Sequence, residues 1–154
     1  LEVLRNKLRE SMREDQGGVY GVRVAGGVSR YPKESYSITI SFNAEPEEVD
    51  TLIEIAKRDI IDVVESGAEA EEIQKVVEIQ RQSRITDLKE NGFWSNSLRS
   101  YYRYGLDPKL LLLENYEPLL EGLSGEDIQM IAQRVFETEN YLEIVMMPGE
   151  VEGE

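Results

Sequence analysis

The sequence is 154 residues long, 40% hydrophobic and 31% charged, with a net charge of −14, which suits one globular domain with a core of its own. Acids outnumber bases 31 to 17 without a basic run, so nucleic acid is set aside for want of cations to displace phosphate counterions, and the acidity reads as a solvated surface. There is no cysteine and no histidine, which excludes disulfides, thiol nucleophiles, Ser-His-Asp triads and ordinary zinc sites within these residues.

Leu4, Leu8 and Met12 recur every four residues and predict a helix over residues 2–15. The sequence opens Leu1-Glu2-Val3, with no initiator Met and no basic leader, and this is expected to be an excised piece of a longer protein. Gly17-Gly18 stops the helix. A strand is expected over Val19–Ala25, with Tyr20, Val22 and Val24 on one face, and Gly26-Gly27 and Pro32 mark a loop. Ser35–Asn43 alternates most clearly: Tyr36, Ile38, Ile40 and Phe42 share one face, Ser37, Thr39 and Ser41 the other. That pattern is a half-buried antiparallel strand paired with the one before it as a hairpin.

Pro46 with Glu47 and Glu48 opens the next helix, its core face predicted as Val49, Leu52, Ile53, Ala56, Ile60 and Val63, with Gly67 closing it. A long helix follows over 70–90, with Ile73, Val76, Val77 and Leu88 inward and Asn91-Gly92 ending it. Another carries Phe93, Trp94, Leu98, Tyr101 and Tyr102, and Pro108 starts one running through Leu120. The longest apolar run, Leu110–Leu113, is far below the roughly 20 residues that span a bilayer, so no membrane insertion is expected. Ser124 caps a further helix with Ile128, Ile131, Ala132, Val135 and Phe136 on its core side. Tyr141–Met147 reads as a last strand stopped by Pro148. The whole is α+β, an antiparallel sheet with helices on one face, read as one domain over 1–148 with an acidic flexible tail over 149–154. Three strands are few for so many helices, and N-terminal strands are expected to be missing.

Chemistry concentrates at Arg13 and Tyr20. An Arg ending a helix, a glycine turn and a Tyr on the next strand can bring a guanidinium and a phenol to one side of a cleft, where both donate to peptide carbonyls or to a developing oxyanion. The plain alternative is that Arg13 suits the helix C-terminus and Tyr20 packs in the sheet. Arg9, one turn earlier, is a substitute for Arg13. Arg81 and Arg84, with Gln80, Gln82 and Asp87, read as a solvated face or, alternatively, an internal polar network. Phe93, Trp94, Tyr101, Tyr102 and Tyr104 read as packing rather than a ligand box. Glu69, Glu71 and Glu72 are explained by the helix dipole without a metal.

The ordered set of these features resembles the pitrilysin/insulinase-type zinc metallopeptidases of family M16. Met12-Arg13-Glu14-Asp15-Gln16-Gly17-Gly18-Val19-Tyr20 is similar to the Arg-Glu-…-Gly-…-Tyr segment in their C-terminal half. The Pro46-Glu47-Glu48-Val49 helix start, Asn91-Gly92-Phe93-Trp94, Leu123-Ser124-…-Asp127-Ile128 and Met146-Met147-Pro148 match as well. Asn91-Gly92-Phe93-Trp94 looks most like bacterial zinc proteases of this type. The resemblance implies a LuxS/MPP-like metallohydrolase fold and a non-catalytic domain facing a peptide chamber, with Arg13 and Tyr20 as substrate-binding residues. It implies zinc, and the catalytic residues, in another domain on an inverted His-x-x-Glu-His motif that a chain without histidine cannot hold. The implied partners are a peptide substrate and the zinc-bearing domain of the same or a partner chain, with a periplasmic location for a bacterial parent. A catalytically inactive scaffold subunit of the same fold is the alternative; an independent acidic binding module is a third.

Overall fold

The computed structural model describes residues 1–15, 21–137 and 140–149. The helix stop at Gly17-Gly18, the strand positions Val19 and Tyr20, and the tail beyond Gly149 therefore lie outside the described residues. The fold is α+β, with helices and a two-stranded antiparallel sheet among the described residues. The chain divides into two compact units, one of Leu1–Gly67 with Gln129–Glu154 and one of Ala68–Ile128.

In the first unit, helix α1 (Glu2–Asp15) turns Val3, Leu4, Leu8 and Met12 inward, all of them buried. The four-residue spacing of the last three places them on one side of the helix. Strands β1 (Val22–Ser29) and β2 (Ser35–Phe42) form a hairpin whose register pairs Val22 with Phe42, Val24 with Ile40 and Ser29 with Ser35. Ile38, Ile40 and Phe42 are half-buried while Ser37, Thr39 and Ser41 are exposed, as the alternation requires. Tyr36 shares the inner side, and its hydroxyl donates to the Arg134 carbonyl at 3.0 Å.

The first strand is shifted from the expected span. It runs through Gly26-Gly27, which pair with Ile38 and Ser37, and the turn falls at residues 30–34 around Pro32. The ladder to β2, rather than side-chain propensity, decides this. Glycine has its own reason at Gly26: a Cβ there would stand 2.7 Å from Leu1 Cδ1, so the start of α1 lies close over the strand.

Helix α2 (Val49–Ser66) is entered through a 3-10 turn at Pro46–Glu48. Its buried face is Leu52, Ile55, Ala56, Asp59 and Val63, rotated slightly from the predicted one, so that Ile53 and Ile60 are half-buried. It packs against α1, with an ion pair between Lys7 and Asp62. Gly67 ends it in a positive-φ conformation (φ 75°), its N–H donating to the Val63 carbonyl at 3.0 Å. Two further last-turn carbonyls, orphaned in any helix, accept from side-chain amides: Val64 from Gln133 at 3.3 Å, and Glu65 from Gln129.

Those glutamines belong to α6 (Gly125–Phe136), which buries Ala132. Docking on the Gln129, Ala132 and Gln133 side turns Ile131 outward, 56% exposed beside exposed Met130, against the expectation that Ile131 faces the core. The expected last strand is also absent. Residues 140–149 form no strand, because a strand exists only in a ladder and neither edge of the hairpin bonds to this segment.

The second unit contains α3 (Ala70–Asp87), α4 (Asn91–Tyr104), a 3-10 turn at Pro108–Leu111 and α5 (Leu113–Glu121). Its buried residues include Ile73, Val76, Leu111 and Leu120. Asn91-Gly92 opens α4 instead of closing α3: Glu90 is already extended (φ −100°, ψ 124°), so the break falls before Asn91. The single helix expected from Pro108 splits, since Leu112 is extended with ψ 145° between the 3-10 turn and α5. Glu69 and Glu72 form a capping box at the start of α3. Before α6, Ser124 and Asp127 bond reciprocally: the Ser124 Oγ accepts from the Asp127 N–H at 3.2 Å, and Asp127 Oδ2 accepts from the Ser124 N–H at 3.0 Å and its hydroxyl at 2.6 Å.

Candidate substrate-binding site

Arg13 sits in the last turn of α1 with its side chain exposed. A cation is favoured there by the negative end of the helix dipole. Arg9 lies one turn earlier and is also exposed; residues four apart stand neighbours on a helix surface. Arg5, the next position back, is committed elsewhere, donating to the Val24 carbonyl at 2.9 Å and pairing with Glu2. The start of α1 is therefore fastened to β1, while Arg9 and Arg13 project free of ion pairs among the described residues. Tyr20 lies outside the described residues, so the pair is placed at its arginine only. Gly21, immediately before β1, has φ 148°, a value that side chains rarely permit, and it fixes how the chain enters the strand.

The other sequence candidates have structural roles. The Arg84 guanidinium carbon lies 4.0 Å from the Tyr116 ring centroid and 5.2 Å from that of Phe93, and its Nη1 donates to the Leu111 carbonyl at 3.2 Å. Arg81 holds both Glu117 oxygens at 3.0 Å and Glu78 at 2.8 Å; the Glu117 bond first, then Glu78, raises its already high pKa. The Tyr116 hydroxyl bonds Gln80 at 3.2 Å. This is the internal polar network, and the solvated-face reading of Arg81 and Arg84 is corrected. Long polar side chains of α3 were free to reach α5 because α5 sits alongside, which helix periodicity does not report. Trp94 and Phe93 meet edge to face at 5.6 Å, and Trp94 Nε1 donates to the Leu88 carbonyl at 2.9 Å; Tyr102 alone of the aromatic cluster is exposed.

Sequence reasoning missed two features of the first unit. Asp59 is buried within an apolar helix face at 3% exposure, and its Oδ2 has no hydrogen-bond partner among the described residues. Glu143 accepts from Lys57 Nζ at 2.9 Å and from the Tyr141 hydroxyl at 2.7 Å, with the Lys57 ammonium 5.9 Å from the Tyr141 ring. The Lys57 bond, then the Tyr141 bond, holds the Glu143 carboxyl below the usual range, and the same Glu143 bonds raise Lys57 and Tyr141.

With neither histidine nor cysteine, metal ligation in this chain would fall to carboxylates. Among the described residues no three potential ligands come together. Glu71, in the acidic start of α3, is paired with Lys75 at 2.8 Å. The described residues do not fit a zinc centre.

No protein-family model matches the chain. Over 96% of its length it is 24% identical to a protein of Arabidopsis thaliana named zinc protease PQQL-like, of which it spans 17%. Its fold matches part of the periplasmic protease PqqL of Escherichia coli, with a TM-score of 0.68 at 21% identity, covering 87% of this chain and 14% of that one. Both proteins are proteases, and the resemblance read in the sequence to part of an insulinase-like zinc protease stands on these two matches. No described helix is long and apolar enough to cross a membrane.

Proposed function

We propose that this chain is a substrate-facing, non-catalytic domain of a zinc endopeptidase. The similarity over 96% of the chain to a zinc protease almost six times its coverage, 17% of that protein being matched, is the observation that carries the reading. The absence of histidine from the sequence supports a zinc centre elsewhere in the parent, on the same or a partner chain. In this reading Arg13, exposed and unpaired among the described residues at the end of α1, and Tyr20 donate hydrogen bonds to the carbonyls of an extended peptide. They also stabilise the charge that grows on the attacked carbonyl oxygen. The periplasmic location of the E. coli protease supports the same compartment for a bacterial parent.

The test is kinetic and uses the intact peptidase. Tyr20→Phe removes one donor and little packing area. Loss of a donor at a developing oxyanion raises the barrier by on the order of 3 kcal/mol, roughly a hundredfold in kcat. Thermal stability should stay nearly unchanged. An unaltered rate in the Arg13→Ala, Tyr20→Phe double variant would make the pair structural. Metal analysis of the 154-residue chain after dialysis should find far less than one zinc per chain; tight binding at a carboxylate cluster would overturn the placement of zinc elsewhere.

A further inference from the structure

Arg5, Arg9 and Arg13 stand four residues apart on α1, so they follow one another along its surface. Arg5 is neutralised by Glu2 and bonded to the Val24 carbonyl. Arg9 and Arg13 are exposed and make no ion pair among the described residues. Elsewhere Arg58, Arg81, Arg84 and Arg99 each donate to a carboxylate, carbonyl or amide oxygen. The helix dipole accounts for a cation at Arg13, but its effect is confined to the last turn and does not reach Arg9. The surface neighbours of Arg9, three and four residues to either side, are Arg5, Asn6, Met12 and Arg13, and none is acidic. Strand β1, which packs on α1, contains no acid, and Asp62 of α2 is taken by Lys7. Like charges four residues apart weaken a helix. Arg9 keeps that arrangement in a chain where acids outnumber bases 31 to 17.

We infer that Arg9 is a specificity residue of the substrate-binding site and takes a carboxylate of the peptide, from an Asp or Glu side chain or from the free C-terminus. This rests on the reading of Arg13 as substrate-facing. Arg13, one turn on, holds a backbone carbonyl, and its charge adds to that of Arg9. The planar guanidinium presents paired donors that match the two oxygens of a carboxylate. The net charge of −14 repels an acidic peptide at a distance, but salt screens exposed charges beyond about 10 Å. Within that range of α1 the two neighbouring guanidiniums set the sign of the local field.

The test uses the intact peptidase and a neutral peptide that it cleaves. A single glutamate is moved through the peptide, each version being paired with the same peptide carrying glutamine there. One further pair differs in a free or amidated C-terminus. Reading kcat/KM as a ratio within each pair cancels any general loss of activity. One pair should favour the carboxylate by at least about tenfold, as expected for one charge-assisted hydrogen bond. Arg9→Gln should bring that ratio close to one, Arg9→Lys should keep part of it, and Arg9→Glu should turn it against the carboxylate. A response at a glutamate position assigns the ligand to a side chain, and a response of the amidated pair assigns it to the C-terminus. No preference in any pair, or a preference that Arg9→Gln leaves intact, would overturn the inference. A lower thermal midpoint of Arg9→Gln with every ratio unchanged would also overturn it, giving Arg9 to an acid of another domain. The Arg13→Ala, Tyr20→Phe double variant separates the two readings. If it leaves the rates unaltered, the substrate-facing role fails and this inference with it. If it slows every peptide while Arg9→Gln changes no ratio, this inference alone fails.

Discussion

Replacing Asp59 with leucine should stabilise the protein. Both side chains branch at Cγ and carry the same number of heavy atoms, so the change exchanges two carboxylate oxygens for two methyl groups in place. In the native chain one oxygen, Oδ1, accepts from Arg58 Nε at 3.3 Å and Nη2 at 3.2 Å, while Oδ2 is buried without a hydrogen-bond partner among the described residues. An unsatisfied buried polar atom costs about 1–3 kcal/mol, and a buried ion pair often gains nothing over an apolar pair of similar volume. Arg58 is exposed, so water can solvate the side of the guanidinium that the Asp59 carboxylate leaves. Leucine is also the better helix former by up to about 0.5 kcal/mol. Against this stands imperfect fit of the methyl groups, about 1 kcal/mol. The net expectation is a gain of about 2 kcal/mol. Urea unfolding followed by circular dichroism reads this as a midpoint raised by about 1 M, for an m-value near 2 kcal/mol/M, with the slope unchanged. A loss of more than about 1 kcal/mol would refute the reasoning, because it would mean that Oδ2 has a partner that holds the fold together.

Leu8→Ala, at a fully buried position of α1, should destabilise by about 2–5 kcal/mol in the same assay. Gly125→Ala should destabilise by about 1–3 kcal/mol despite alanine's better helix propensity, since the new Cβ would stand 2.3 Å from the Ala68 carbonyl oxygen; a stabilised variant would show that the backbone yields freely. Ser124→Ala should cost α6 about 1 kcal/mol. The Ser124 hydroxyl, then its N–H, holds the Asp127 carboxyl below its ordinary value. This contribution is therefore complete above the unfolded carboxylate range and disappears as pH falls through the lowered folded value. In Ser124→Ala, NMR titration should show the Asp127 carboxyl rising toward the ordinary carboxylate range, and an unmoved titration would sever the link between the two residues.

Where periodicity controls structure, the sequence is a sufficient guide. Leu4, Leu8 and Met12 specify α1, and the Tyr36–Phe42 alternation specifies which side of β2 faces the helices. Legibility fails where a neighbouring element decides. Gly26-Gly27 has the composition of a loop but lies in a strand because β2 supplies its ladder and Leu1 occupies the space a side chain would need. Ile131 fits a core pattern, yet two glutamines that cover the end of α2 set the rotation of α6. Asp59 is invisible as a core residue because its type argues against burial. At the candidate site, the position of Arg13 ahead of Gly17-Gly18 predicts a helix end, and Arg13 stands in the last turn of α1. Tyr20 lies outside the described residues, so the phenol half of the pair stays an expectation from the sequence.

The first unit is interrupted in sequence by the second, and this has a kinetic consequence. The Tyr36 to Arg134 bond closes a separation of 98 residues, and the Gln133 to Val64 bond one of 69. The ties of the second unit are shorter, 36 residues for Arg81 to Glu117 and 27 for Arg84 to Leu111. Entropy lost in closing a loop rises only logarithmically with its length, but contacts distant in sequence form late as a rule. Residues 68–128 are therefore expected to gather first during folding, shortening the effective loop between α2 and α6. The amide caps from Gln129 and Gln133 then form near the end, and mutations at those two glutamines should speed unfolding while leaving the folding rate almost untouched.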